Sequence, residues 1–173
     1  FKARIVDQVY TPINLSNENY VFTRVFQEAM TSPTITKNQS VIDQVVYLDG
    51  LGRTKQSIAI GQSPSQKDIV THVEYDDYGR QVEEFLPYAA STATGSIQVG
   101  AKVATQTYYK NAYPEDFAGV TDINNITAYS KKELENSPLS RVLKQAAPGQ
   151  EWRMGSGHEI EMEYGTNKAD EVR

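Results

Sequence analysis

The sequence predicts a mainly β protein in which antiparallel hairpins form a curved sheet or strip, with one or two short helical turns. The first observation is a turn that occurs twice, in residues 46–53 and 73–80, where an apolar run leads into Asp-x-x-Gly-Arg and a second β-type run follows. The second is the alternation of side chains with period two in residues 20–26, 69–75 and 158–164. Repeated hairpin units stack on neighbours, so the pattern favours one end of a larger β assembly over a compact enzyme.

The repeated turn supplies the residues that we single out as structural. Asp is favoured at the first position of a type I turn, and Gly at the fourth can adopt the left-handed conformation of a three-residue hairpin. An Arg directly after the turn can pair with the Asp of its own hairpin or of the next one, which fixes register and geometry. The positions are Asp49, Gly52 and Arg53 in the first copy, and Asp76, Gly79 and Arg80 in the second.

Composition limits the size of the core and the kinds of partner. The 173 residues suit one domain, but only 39% are hydrophobic and the mean hydropathy is −0.54, so the core is expected to be thin and to need adjoining chain. The chain starts at Phe1 without an initiator Met, and we expect it to be a fragment of a longer protein. A net charge of −5 with scattered cations argues against nucleic acid and anionic membranes as partners. Zero cysteines exclude disulfides and thiol chemistry.

Each element before residue 68 is assigned from local pattern. Residues 20–26 are mostly apolar or β-branched on both faces, with Arg24 the one charged residue, which predicts a well-buried strand. Ser32-Pro33 favours a turn or an edge segment. The expected order is an extended segment and linker over 1–18, the buried strand over 20–26, a turn or edge over 30–37, the first hairpin over 40–60 and a loop over 61–67.

The second half is assigned in the same way. The Ala, Ser, Thr and Gly-rich run at 89–100 predicts a flexible excursion. The Thr and Tyr content of 102–109 predicts a strand, and the spacing of Ser130 and Glu133 is that of a capping box, which predicts one helical turn. The other expected elements are second-hairpin strands over 68–75 and 80–86, a loop over 113–127, a strand over 141–145, a turn at 148–149 and a half-exposed strand over 158–164.

Residues 75–80 resemble the Tyr-Asp core of YD repeats, the building unit of bacterial RHS (rearrangement hot spot) proteins. The order of motifs is similar to that of an uncharacterised domain found N-terminal to those repeats. The resemblance covers about residues 19–164, which makes 1–18 a preceding segment or linker and 165–173 the start of a linker into following repeats. The matching strings are residues 19–24, 47–53, 68–75, 85–88, 137–142 and 155–160.

The resemblance implies a structural role. RHS repeats coil a β strip into a hollow shell that encloses a C-terminal toxin or effector, and the domain ahead of them would cap or anchor that strip. It implies a large secreted or cell-surface protein of a Gram-negative bacterium, with export by a type IX-like route. The expected partners are the YD repeats that follow in the same chain, together with secretion machinery or cell-surface components. No catalytic residue, cofactor or metal is implied, and no membrane insertion is expected.

Candidate chemical sites each have a simpler explanation. His72 and His158 lie in alternating strands without the converging ligands that zinc needs. Residues 155–158 lack the spacing of a nucleophile elbow and favour a turn. The acidic pair at 76–77 lacks the ligand series of an EF-hand, and turn formation explains it. The glutamates at 159, 161 and 163 are more often a charged strand face than a catalytic pair.

Two functions outside the structural class stay open. The first is a carbohydrate- or surface-binding β-sandwich that uses tyrosines and Trp152 as a stacking platform. The second is a hydrolase acting through Glu161 and its neighbours on the same strand face. The structural module is the leading interpretation, because the repeated turn explains more of the sequence than either alternative.

Overall fold

Two open antiparallel sheets and one helix make up the part of the chain that the structure, a computed structural model, describes: residues 12–27, 29 and 41–166. The sheets have the strand orders β1-β2-β3-β4-β6 and β5-β7-β8-β9, and neither is closed or curled. The mainly β class is thus confirmed. In chain order the elements are β1 (Tyr20–Phe26), β2 (Val41–Leu48), β3 (Thr54–Ile60), β4 (Ile69–His72), β5 (Glu83–Phe85), β6 (Tyr88–Ala89), α1 (Ala101–Ala112), a 3-10 helix (Ile123–Asn125), β7 (Tyr129–Leu134), β8 (Val142–Ala146) and β9 (Ile160–Glu161).

The first hairpin, β2 and β3, forms the centre of the larger sheet. Val45 lies opposite Ile58 in its register, and every second residue is buried along β2 and, from Gln56 onwards, along β3. This confirms the hairpin expected over 40–60, as far as it lies within the described residues. The main core cluster consists of Val45, Tyr47, Ile58, Ile60, Val70, Tyr88, Ala90 and Ala101.

Strand β1 has the predicted bounds but not the predicted burial. It pairs with β2 along its whole length and forms the edge of the larger sheet. Tyr20, Val21, Val25 and Phe26 are each 45–55% exposed. The expectation of a well-buried strand is therefore wrong, because no described strand lies on its outer side. The segments expected over 1–11 and 30–37 lie outside the described residues.

The second hairpin has the expected turn, but its strands separate. β4 joins the larger sheet, whereas β5 pairs with β7 in the smaller one. A single bridge between Val73 and Glu84 connects them next to the turn. The prediction of continuous strands over 68–75 and 80–86 is wrong for this reason, and the turn instead marks the junction between the two sheets.

The run at 89–100 is not a flexible excursion. It crosses the larger sheet and is fixed by Asp68, which is fully buried and accepts hydrogen bonds from Thr92 Oγ1, Thr94 N and Gly95 N at 3.0–3.1 Å. The Tyr47 hydroxyl also donates to Gly95 O at 2.8 Å. Small residues are needed here because the chain passes close to the core, so their content reflects packing and not mobility.

Helix α1 replaces the strand predicted over 102–109. Ala101 and Thr105 lie one turn apart and are buried, so the helix faces the larger sheet with small side chains. Gln106 Nε2 donates to Asn124 O and Ile126 O, both at 3.1 Å, which holds the 3-10 helix against α1. Tertiary packing overrides the β propensity of the Thr and Tyr residues. In the described part of the chain no helix is long and apolar enough to cross a membrane.

The smaller sheet corrects two further expectations. Ser130 and Glu133 lie in β7 and do not cap a helical turn; Lys131 of the same strand donates to Glu83 in β5 at 2.8 Å, so cross-strand pairing uses this segment. The strand expected over 158–164 is reduced to β9, two residues paired with β8. The strand expected over 141–145 is confirmed as β8, shifted by one residue.

Candidate functional site

The first Asp-x-x-Gly-Arg turn is closed by a single carboxylate. Asp49 Oδ1 accepts hydrogen bonds from the backbone N–H groups of Leu51 and Arg53, each at 2.9 Å. Asp49 Oδ2 accepts from Arg53 Nε at 2.8 Å. The backbone closes the turn as well, with Gly52 N donating to Asp49 O at 3.0 Å and Gly52 at φ +78°. Asp49 and Arg53 are therefore held in place by hydrogen bonds within the turn, and Gly52 is needed for its positive φ.

The second turn repeats this geometry almost atom for atom. Asp76 Oδ1 accepts from Tyr78 N at 3.0 Å and from Arg80 N at 2.8 Å, and Asp76 Oδ2 accepts from Arg80 Nε at 2.8 Å. Gly79 has φ +76°, which is a conformation that side-chain-bearing residues rarely adopt. In both turns hydrogen bonds from the arginine hold the pKa of the aspartate below its ordinary value. The backbone N–H of the arginine has the larger effect and its side chain the smaller one. Each aspartate is thus stabilised as an anion.

A third turn with the same spacing occurs in residues 137–141. Ser137 takes the place of Asp and accepts from Leu139 N at 3.2 Å, and Ser140 takes the place of Gly with φ +49°. The carboxylate comes from Glu135, whose Oε2 accepts from Arg141 Nε at 3.0 Å. Hydrogen bonds from the Arg141 side chain and from Ser137 lower the pKa of Glu135 to about 2. The sequence signal was Ser-x-x-Ser-Arg, and substitution at both turn positions concealed it.

The first turn contacts the second through Arg53. Its guanidinium lies 4.3 Å from the centre of the Tyr75 ring, directly before the second turn. The Tyr75 hydroxyl donates back to Thr54 O at 2.9 Å. Gly79 lies so close that a Cβ on it would be 3.0 Å from Arg53 Nη1. The arginine therefore bonds the Asp of its own turn and packs on the next turn.

The second turn contacts the third through its arginine as well, here by a hydrogen bond. Arg80 Nη1 donates to Ser140 Oγ at 3.2 Å. This contact joins a turn at the junction of the two sheets to a turn at the end of the smaller sheet. We call the three turns, residues 49–53, 76–80 and 137–141, the turn column, because each contacts the next.

The third turn ends on Tyr164. The guanidinium of Arg141 lies 4.7 Å from the centre of the Tyr164 ring, and the Tyr164 hydroxyl donates to Val142 O at 2.9 Å. Tyr75 has the same two contacts with Arg53 and with Thr54, the residue after that arginine. Tyr164 therefore contacts the third turn in the same way as Tyr75 contacts the first: its ring packs on the arginine and its hydroxyl donates to the carbonyl of the next residue.

The two histidines take part in local contacts. His72 Nε2 lies 3.0 Å from Glu74 Oε1, and Lys102 of α1 binds the same carboxylate at 2.7 Å. Burial raises the pKa of Glu74, but the interactions with Lys102 and His72 together outweigh it, and the pKa lies below its ordinary value. His158 precedes β9, with its ring 5.0 Å from that of Trp152. Within the described ranges, no group of three His, Cys, Asp or Glu side chains could hold a metal ion.

The glutamates expected on one strand face do not act together, because Glu159 and Glu161 have different partners. Glu161 in β9 pairs with Lys144 in β8 at 2.6 Å. Glu159 accepts from Gly157 N at 2.8 Å, and backbone hydrogen bonds hold its pKa below the ordinary value. Residues 155–158 form the turn before β9, and Ser156 is not in contact with His158 through any described hydrogen bond. The structure does not bring these residues together around one space.

A polar cleft lies beside the smaller sheet. It has a volume of about 590 Å³ and lies between β7, the 3-10 helix region and the segment after β8. Trp152, 49% exposed, follows Gln150 and precedes Arg153 in that last segment, but it does not itself line the cleft. Polar and aromatic side chains in the lining include Asp122, Asn124, Tyr129, Gln150 and Arg153.

Comparison with known proteins assigns the chain to a family without an assigned activity. The family described as "Domain of unknown function (DUF6443)" matches residues 22–166, which is most of the chain. That description names no repeat, substrate or partner. No curated protein matches the chain, and no solved structure matches it.

Proposed function

The chain belongs to the DUF6443 domain family, and we propose that it is a non-catalytic structural module that caps or anchors the first turns of an RHS/YD-repeat β strip. The turns of YD type, the two open sheets and the sequence resemblance support this role. In it, the domain works by strand pairing and turn stacking with the YD repeats that come after it in a longer chain.

The turn column is the observation that carries the proposal. Tyr75 receives Arg53 and is followed at once by the second turn, whereas Tyr164 receives Arg141 in the same geometry. By this equivalence Tyr164 is the residue on which a further turn would be built. β9 contributes only Ile160 and Glu161 and lies at the edge of its sheet. An edge strand presents unpaired backbone groups, and a following hairpin would pair with them.

The proposal places the domain at the N-terminal side of a shell. There it would fix the register of the first repeats around a C-terminal toxin or effector. The longer protein would be secreted or displayed on the surface of a Gram-negative bacterium, by a type IX-like route, with secretion machinery or cell-surface components as further partners. The support for the shell and its location is the resemblance of residues 19–164 to the domain that precedes RHS repeats.

Amide hydrogen exchange tests the strand pairing. The 173-residue chain is compared with the same chain followed by the Tyr-Asp repeats that the proposal places after it, and the amides of β9 and of Tyr164 are monitored. We expect these amides to exchange more slowly in the longer protein, while those at the centre of β2 and β3 serve as the internal control. Unchanged exchange at β9, or the lack of Tyr-Asp units in the coding sequence downstream, would refute the proposal.

The polar cleft favours a second candidate function, a carbohydrate-binding module. Tyr129 lines the cleft together with amide side chains, and half-exposed Trp152 lies in the segment that contributes Gln150 and Arg153 to the lining. Binding sites combine a concave shape with a few convergent polar groups. A glycan array with wild type and Trp152→Ala separates the candidates. Specific binding that the substitution removes supports the carbohydrate module, and no binding by the wild type rejects it.

A further inference from the structure

A groove lies between helix α1 and strand β6, which is an edge strand of the larger sheet within the described residues. Its volume of about 540 Å³ lies in the range of roughly 300–1,000 Å³ that is usual for ligand sites. The lining comes from residues 88–91 on the strand side and from residues 98–100, 103, 104, 107 and 108 on the helix side. None of these residues is charged, so the groove suits an uncharged ligand, because a charge buried there would have no partner.

The helix side of the groove exposes apolar side chains. Val99, just before α1, is 97% exposed, and Val103 and Tyr108 on the helix are 44% and 40% exposed. Buried Tyr88 of β6 completes the apolar surface, with its ring 6.3 Å from that of Tyr108. Apolar side chains that are exposed together beside a concave surface mark a binding site more often than singly exposed ones do.

The backbone of β6 offers hydrogen bonds on the side away from β4. Ala89 lies opposite Ile69 of β4, and the next residue, Ala90, donates its N–H to Asp68 O at 2.8 Å. The pair of Ala89 and Ile69 is therefore of the non-hydrogen-bonded type, in which the N–H and C=O groups point away from the partner strand. In the described part of the chain no hydrogen bond uses the N–H or the C=O of Ala89.

Helix α1 is held beside the start of this edge. The hydroxyl of Tyr109 donates to Pro87 O, directly before β6, at 2.7 Å. Ala101 at the first turn of the helix belongs to the same core cluster as Tyr88. The helix and the strand edge are therefore fixed relative to each other, and the free backbone groups of Ala89 lie in a strand that lines the groove.

We propose that the groove between α1 and β6 binds an extended, uncharged peptide segment of another protein, which adds a strand beside β6. One peptide residue exchanges two hydrogen bonds with the N–H and C=O of Ala89. The residues before and after it place their side chains on the opposite face of the added strand, which is the face of Tyr88 and of the helix. The recognised sequence is therefore apolar-x-apolar, with β-branched or aromatic residues at the two outer positions.

The same strand of a second copy does not fit this groove. If β6 paired with β6 about Ala89, the side chains directed into the groove would be those of Tyr88 and Ala90. Both are buried in the core of their own copy and could not leave it. The occupant is therefore a segment with free apolar side chains. This inference concerns an edge of the larger sheet and does not depend on the proposed function, which uses β9 of the smaller sheet.

A peptide array tests the recognised sequence. The fluorescently labelled 173-residue chain is applied to pentapeptides with blocked termini, in which Ser, Thr and Ser alternate with two apolar positions taken from Val, Ile, Leu, Phe and Tyr. Control peptides carry Asp or Lys at one apolar position, or an N-methyl group on the central Thr. The methyl group removes the N–H that would donate to Ala89 O. We expect some of the parent peptides to bind and their controls to lose binding by about tenfold, because a buried group is then left unpaired.

Matched variants of the chain locate the site in solution. Val103→Glu and Asn111→Glu add the same charge at exposed positions of α1, but only the first lies in the groove. By fluorescence anisotropy with the best parent peptide, Val103→Glu should raise the Kd at least about tenfold and Asn111→Glu should leave it unchanged. Ala89→Pro removes an N–H that faces outward, which an edge strand tolerates, and it should weaken binding as well. Circular dichroism verifies that each variant is folded.

Three results would overturn the proposal. The first is an array on which no parent peptide binds better than its charged controls. The second is a Kd that Val103→Glu leaves unchanged, since the peptide would then bind elsewhere. The third comes from sedimentation equilibrium without peptide: a dimer that Val103→Glu dissociates would assign the groove to a second copy of the chain and not to a peptide of another protein.

Discussion

Alanine at the two turn glycines separates backbone strain from turn stacking. Gly52 and Gly79 have nearly the same φ, +78° and +76°, but a Cβ on Gly52 meets nothing within 4 Å whereas one on Gly79 lies 3.0 Å from Arg53 Nη1. Left-handed alanine costs roughly 1–2 kcal/mol, and the stiffer unfolded chain returns about 0.4–1 kcal/mol. Gly52→Ala should therefore lower the free energy of unfolding by about 1 kcal/mol.

Gly79→Ala should be more costly, since it also displaces the arginine of the preceding turn. The guanidinium of Arg53 then loses its contact with Tyr75, and a cation–π contact at an exposed site contributes about 0.5–1 kcal/mol. The total is about 1.5–2 kcal/mol. Gly79→Val should disrupt the second turn further, because a β-branched residue tolerates positive φ poorly.

Urea unfolding in a double-mutant cycle measures the stacking contribution. Gly79→Ala is made in wild type and in Arg53→Ala, and we expect its cost in the second background to fall to that of Gly52→Ala. Gly79→Asn is a control, because asparagine tolerates the left-handed conformation. If Gly79→Ala lowers the free energy of unfolding equally in both backgrounds, the contact between the first and second turns does not contribute to stability. The stacking of the turns would then have no energetic effect.

Three further predictions concern single contacts. Tyr75→Phe removes the hydrogen bond to Thr54 O and should lower the free energy of unfolding by about 1 kcal/mol in urea titrations; Tyr164→Phe, at a more exposed ring, should cost less. Glu135 has a pKa of about 2 in place of 4.5, so its stabilisation is complete above pH 4.5 and is lost as the pH falls to about 2. The stability difference between wild type and Glu135→Gln should therefore shrink over that interval in acid unfolding monitored by circular dichroism, and a constant difference would contradict it. Gly95 has φ +75°, and the Cβ added by Gly95→Ala would overlap Ile60 Cδ1. This substitution should lower the free energy of unfolding by about 3 kcal/mol, measured as a lower melting temperature.

The sequence predicted the elements that local chemistry determines. The first hairpin was correct in both strands, because alternation, the Asp-Gly turn and burial all act within residues 41–60. The turn at 76–80 was correct for the same reason. The pairing of the strand after that turn was wrong, since the choice of β5 between two sheets depends on β7, which begins only at Tyr129.

The errors share one physical origin, which is that tertiary contacts outweigh local preference. Residues 102–109 have a β-type composition, but the larger sheet needs a cover of small side chains, which α1 supplies with Ala101 and Thr105. The run at 89–100 has the composition of a mobile loop, yet one buried carboxylate, Asp68, fixes it. Burial of β1 was expected from its apolar faces, and whether it is covered depends on a neighbour outside the strand.

The third turn shows why a motif search finds only part of a structural repeat. Asp at the first turn position both caps the backbone and binds the arginine, and in the third turn these tasks are divided between Ser137 and Glu135. Ser140 adopts the left-handed conformation without being glycine, and its hydroxyl accepts from Arg80. Arginine alone keeps its position in all three turns, because its side chain makes the contacts both within a turn and with the next element. In the first and third turns the arginine also packs on a tyrosine outside the turn, Tyr75 or Tyr164, whereas Arg80 lies over Tyr78 within its own turn. The repeating unit of this fold is therefore better defined by the arginine than by the Asp and Gly that make it visible in sequence.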